Sequence, residues 1–119
     1  MINVLDVKKR LRRLLEQFEL STRQKQVLDA KRSLWRYTWV TRATVEFTNS
    51  KDSSEPLHVT TSTISAQGLD FRSHRMLERD CKVLITLEVD KGKLQIPATV
   101  IHSTESVGMP ITRVIFDFD

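Results

Sequence analysis

The chain has 119 residues, 39% of them apolar and 29% charged, with 19 Lys+Arg against 15 Asp+Glu for a net charge of +4. That length supports one hydrophobic core and excludes two, and the lack of any long unbroken apolar run excludes a membrane-spanning helix. Cys81, the only cysteine, excludes an intrachain disulfide and a cysteine-rich metal site; with no hydrophobic leader in the sequence, a reducing, cytoplasmic location is expected.

Val4, Val7, Leu11, Leu14 and Phe18 step by three and four, with Leu15 widening the stripe, so an amphipathic helix is predicted from residue 4 to about 19. Asn3 suits its N-cap and Asp6 its first turn. The stripe follows a heptad seam too short for a self-sufficient coiled coil, yet it offers a face for a homodimer. Lys8, Lys9, Arg10, Arg12 and Arg13 crowd on this helix, either as a solvated face or as a contact for an anionic partner. Ser21-Thr22-Arg23-Gln24 has the form of a capping box, which favours a break near Leu20 and a second helix from there to Lys31, with Val27 and Leu28 as its apolar contacts.

After Arg36 the period changes from 3.6 to 2. Residues 40–47 alternate around Ala43, Val45 and Phe47, as a strand buried on one face does. A polar loop from Asn49 to Pro56 follows, then strands at 57–64 and 69–72. The next two strands alternate cleanly, with Val83, Ile85, Leu87 and Val89 on one face and Leu94, Ile96, Ala98 and Val100 on one face, joined at Asp90-Lys91-Gly92-Lys93. Pro97 marks its strand as an edge or a bulge. A last strand at 111–118 carries Val114, Phe116 and Phe118. Six strands joined mostly by short turns, with no helix between them, remove their edges most economically by closing into a barrel. The expected architecture is mainly β: a helical arm over residues 1–30 and an antiparallel six-stranded β-barrel over 31–119.

Two stretches carry candidate chemistry. Arg32 and Arg36, four apart in Arg32-Ser33-Leu34-Trp35-Arg36, share one side of the backbone whether it is extended or helical, so they can close on one anion. Thr63-Ile64-Ser65-Ala66-Gln67-Gly68 ends a β-branched run in a Ser-x-x-Gly turn, where a hydroxyl and a glycine let backbone approach a ligand. Trp35 and Trp39 flank Arg36, either as an aromatic wall or, as favoured here, as anchors of the arm on the barrel. His58, His74 and His102 have no metal-ligand spacing, no nucleophile and base are brought together, and no cofactor is expected; the chain reads as a non-enzyme.

In this order and separation the two stretches resemble the signature of the PilZ domain family, Arg-x-x-x-Arg followed by Asp/Asn-x-Ser-x-x-Gly. The resemblance covers roughly residues 31 to 119 and departs at Thr63, where the family usually has Asp or Asn. It implies a six-stranded PilZ-type β-barrel that binds cyclic di-GMP, with Arg32 and Arg36 gripping phosphates or guanines, Ser65 hydrogen-bonding the ligand and Gly68 leaving it room, while Lys31 adds positive charge at the phosphates. A guanidinium fork suits both phosphate oxygens and the O6/N7 edge of guanine. With one hydroxyl at Thr63, affinity is expected to fall by about 1 kcal/mol, the worth of one good hydrogen bond.

The resemblance thus implies a cyclic di-GMP effector that changes conformation on binding and signals to a partner protein in motility, adhesion or biofilm control. The alternative is a PilZ-like scaffold that has lost the nucleotide and assembles through the Val4 to Phe18 stripe. Nucleic-acid binding through Lys8 to Arg13 is disfavoured, because an arm of at most two helices has no three-helix core to place a recognition helix.

Overall fold

The computed structural model describes residues 3–21, 27–29, 34–48, 55–89 and 92–118. The chain runs α1 (Val4–Ser21), β1 (Val27–Asp29), β2 (Leu34–Thr38), β3 (Arg42–Phe47), β4 (Leu57–Ile64), β5 (Gly68–Arg72), β6 (Lys82–Val89), β7 (Gly92–Thr104) and β8 (Ile111–Phe116). The strand order β4-β3-β6-β7-β8-β5, with β5 pairing back onto β4, closes a six-stranded antiparallel barrel. Alternation explains the inner face. Val83 pairs with Ala98, Ile85 with Ile96 and Leu87 with Leu94, and all six side chains are buried in a core shared with Val45, Phe71 and Val100.

Two bulges break that alternation, and both bear on function. In β4, Leu57, Val59 and Thr61 face inward, then a register shift between Thr61 and Thr63 turns Ile64 inward and Thr63 outward. Without the extra residue Thr63 would continue the inward series; re-aiming a side chain is what a bulge does. In β7 the shift lies between Val100 and His102. It does not fall at Pro97, and β7 is paired on both sides, so the expected edge or bulge at Pro97 is corrected. The proline is tolerated because β8 ends at Phe116: the Pro97 carbonyl accepts from Asp117 N at 2.8 Å, and the missing N–H, on the same side, faces the end of the ladder.

Helix α1 starts as the sequence indicates. The Asn3 side chain accepts from Asp6 N at 3.2 Å and the Asn3 carbonyl from Val7 N at 3.0 Å, satisfying donors at the helix start. Its apolar stripe is spent on the chain's own barrel: Val7 and Leu11 are buried and Leu14, Leu15 and Phe18 pack against the core. Phe18 meets Tyr37 at 5.9 Å and Trp39 at 5.3 Å between ring centroids, while Lys8 lies over the Phe118 ring at 5.7 Å and Arg10 donates to the Lys93 carbonyl at 3.2 Å. Trp39 therefore anchors the helix, and the face expected to serve a homodimer is covered within the monomer.

The helix expected from Gln24 to Lys31 is contradicted where the structure describes it. Val27, Leu28 and Asp29 form β1 and pair antiparallel with Arg36, Trp35 and Leu34. β2 pairs with β4 only through Tyr37 and Thr38, so its first residues need another partner for their backbone groups, and β1 supplies it. This hairpin crosses the boundary expected at residue 30. The capping box itself lies outside the described residues apart from Ser21, the last residue of α1.

Candidate functional site

Residues of β2, β5, β7 and β8 and of the turn after β4 line one cleft where the arm joins the barrel wall. β4 has β3 along its first half and β2 along its second, on the same edge, with β5 on the other. The corner between β2 and β3 is pinned by the buried Thr61 hydroxyl, which donates to the Trp39 carbonyl at 2.5 Å and accepts from Thr41 N at 2.9 Å. Arg36 is thereby carried to the outer face of β4.

There its Nη1 reaches the Thr63 hydroxyl and Asp70 Oδ2, each at 3.3 Å. Thr63 in turn donates to Asp70 Oδ2 at 3.3 Å. Asp70 sits on β5 between the inward Leu69 and Phe71, directly across from Arg113 of β8. The two form a side-on pair, with Arg113 Nε at 2.8 Å from Oδ1 and Nη2 at 3.1 Å from Oδ2. One carboxylate thus holds two guanidiniums and a hydroxyl. The side chains of Asp70, Arg36 and Arg113 are only 12%, 15% and 28% exposed, a setting in which charge-assisted bonds are stronger than at an open surface.

The Ser65 to Gly68 turn forms the adjoining wall. Ser65 N donates to the Gly68 carbonyl at 2.9 Å, and Ser65 Oγ accepts from Gln67 N and Gly68 N at 3.3 Å each. The hydroxyl organises the turn in the free protein. Gly68 has a second reason to be glycine: an added Cβ would overlap the Val114 carbonyl oxygen and lie 3.1 Å from its carbon. Close approach of β5 to β8 requires the bare backbone there.

Between these walls lies a cleft of about 360 Å³, within the range of small-molecule sites. It is lined by Arg36, by Ser65, Gln67 and Gly68 of the turn, and by Ile101, Arg113, Val114 and Ile115. Ile115 is 47% exposed although it lies in a paired strand, so the cleft joins a cationic edge to an apolar strip.

Of the residues singled out in the sequence, Arg36, Ser65 and Gly68 line this cleft and Thr63 is bonded to Arg36 beside it. Lys31 and Arg32 lie outside the described residues. Asp70, Arg113 and Ile115 were not singled out. Alternation offered a signal, since Asp70 is the outward residue between inward Leu69 and Phe71 and Arg113 the outward residue between inward Thr112 and Val114, but nothing local says that they meet. Among the described residues no group of three or more His, Cys, Asp or Glu could hold a metal ion, and no helix is long and apolar enough to cross a membrane.

No protein-family model and no curated protein gives a significant match to the sequence. The fold does match solved structures. The PilZ domain of CeSA from a cellulose-synthesizing bacterium superimposes with a TM-score of 0.58 at 20% identity, covering 71% of this chain and 81% of that one. The PilZ domain of YcgR from Escherichia coli, solved with c-di-GMP, gives a TM-score of 0.57 at 13% identity, covering 70% of this chain and 75% of that one.

Proposed function

The barrel has the PilZ-domain fold, and from that premise we propose that this chain is a cyclic di-GMP receptor module that performs no chemistry of its own. The observation that carries the proposal is the delivery of Arg36, from the arm, to the cleft walled by the Ser65 to Gly68 turn. This is the juxtaposition that the two signature stretches call for, in a chain whose fold matches the YcgR PilZ domain solved with that nucleotide.

Arg36, Arg113 and Asp70 together carry a net single positive charge, which favours a phosphate at Arg36. The phosphate must compete with Asp70 Oδ2 and the Thr63 hydroxyl, both at 3.3 Å, distances longer than the best charge-assisted bonds. Transfer of Arg36 from carboxylate to phosphate would shift β2, and with it the β1–β2 hairpin and the aromatic contact from Tyr37 to Phe18 of α1. The arm is then the output element, and a partner protein in motility, adhesion or exopolysaccharide control would read its position. Lys31 and Arg32 would join the phosphate contacts from the same arm.

Isothermal titration calorimetry with cyclic di-GMP tests the reading. Saturable heat is expected from the wild type, with at least a tenfold loss of affinity in Arg36→Ala, since a charged hydrogen bond is worth about 1.5–3 kcal/mol. No heat from folded wild-type protein would refute it. The competing reading, a scaffold without nucleotide, draws on Thr63 in place of the signature carboxylate or amide; its proposed assembly face, however, is buried against the barrel at Val7 and Leu11.

A further inference from the structure

We propose that Asp70 and Arg113 form a guanine-reading pair, with Ile101 and Ile115 as the apolar bed for the purine ring; this rests on the cyclic di-GMP reading above and assigns its base specificity. Neither Asp70 nor Arg113 belongs to either signature stretch.

Asp70 holds Arg113 by a side-on pair at 2.8 and 3.1 Å but Arg36 by a single bond at 3.3 Å, so Arg113 is the better neutralised of the two cations and attracts a phosphate less than Arg36 does. Arg113 and Asp70 offer a cation rich in N–H donors beside a carboxylate that only accepts. Guanine is the complement of that arrangement along two adjoining edges that share O6. Its O6 and N7 accept, as an arginine fork requires, and its N1–H and N2–H groups donate, as a carboxylate requires. Adenine presents an amino donor where guanine has O6, so it would set a donor against Arg113 and leave buried polar groups badly paired.

Geometry adds two points. Thr63, at the signature position of Asp or Asn, is one hydrogen bond from Asp70 Oδ2 at 3.3 Å, so the missing carboxylate is supplied from the neighbouring strand. Ile115 is the residue after next from Arg113 on the outward face of β8, 47% exposed, and Ile101, the extra residue of the β7 bulge opposite Val114 and Arg113, lines the same cleft. A flat ring laid on these two side chains brings its polar edge to Arg113, while the phosphate side of the nucleotide turns toward Arg36.

The test compares cyclic di-GMP with cyclic di-AMP by calorimetry on wild type, Arg113→Ala, Arg113→Lys and Ile115→Ser. The wild type should prefer cyclic di-GMP, and Arg113→Ala should reduce that preference roughly tenfold or more, the usual worth of a bidentate base contact. Arg113→Lys keeps the charge beside Asp70 without the fork and should lose the preference as well; it serves if the alanine variant fails to fold. Ile115→Ser, on an exposed side chain, should weaken both nucleotides alike with no change in melting temperature. An unchanged preference in the folded Arg113 variants, including one in which both nucleotides weaken equally, overturns this inference while leaving the receptor reading standing; no binding by the wild type overturns both.

Discussion

The carbonyl oxygen of Val114 occupies the space that a Cβ on Gly68 would need, because β5 and β8 approach each other there with Gly68 paired to Ile115. The glycine of the turn therefore closes the barrel as well as bordering the cleft. Gly68→Ala should destabilise the fold by about 1–3 kcal/mol, at the upper end of overpacking effects because the obstacle is backbone. Urea unfolding measures it, and an unchanged midpoint would show that β8 can yield.

The carboxylate of Asp70 is the junction of the cleft, and its loss should be felt in stability before any ligand is added. Asp70→Ala leaves two half-buried guanidiniums without their acceptor and should cost about 1–3 kcal/mol. Since the groups are largely shielded, the cost should change little between low and high salt, in contrast to an exposed pair. Denaturant titrations at two ionic strengths decide the point; a difference that vanishes in salt would mean the cluster is open to solvent.

Phe18 fastens α1 to the barrel through Tyr37 and Trp39. Removing its ring should cost about 2 kcal/mol, less than a fully buried Phe→Ala change because Phe18 is only partly buried. Amide exchange in α1 should accelerate while β6 and β7 stay protected, since each is paired with a barrel strand on both sides. Equal acceleration in both places would show that helix and barrel unfold as one unit.

Burial pushes the Cys81 thiol above its ordinary range, reinforced by Glu78 and opposed by Arg75. Less thiolate is present in the folded chain at a given pH, so alkylation should be slower than in urea-unfolded protein. The linked stability is fully present below the unfolded thiol's pKa and is lost as pH rises through the folded value. Rates of iodoacetamide labelling at mildly alkaline pH, folded against unfolded, check the sign.

What the sequence made legible follows from how far each signal reaches. The β6 and β7 faces could be read because period-2 alternation is local and unbroken from Val83 to Leu87 and from Leu94 to Val100. The cap at Asn3 and the stripe of α1 are local for the same reason. β1 could not be read: Val27 and Leu28 are two adjacent apolar residues, which fit either period, and the unpaired edge of β2 that recruits them is a tertiary fact. The outward aim of Thr63 depends on a bulge that no spacing announces. Asp70 and Arg113, 43 positions apart, meet only because closure of the barrel places β5 against β8.

The most direct measurement is amide chemical-shift mapping during titration with cyclic di-GMP. Saturable shifts are expected at Arg36, at the Ser65 to Gly68 turn and at Arg113 to Ile115, fading toward β6. Saturable shifts confined instead to the cleft of about 320 Å³ on β3 and β4 lined by Arg42, His58 and Thr60, or no shifts at saturating nucleotide, would contradict the receptor reading.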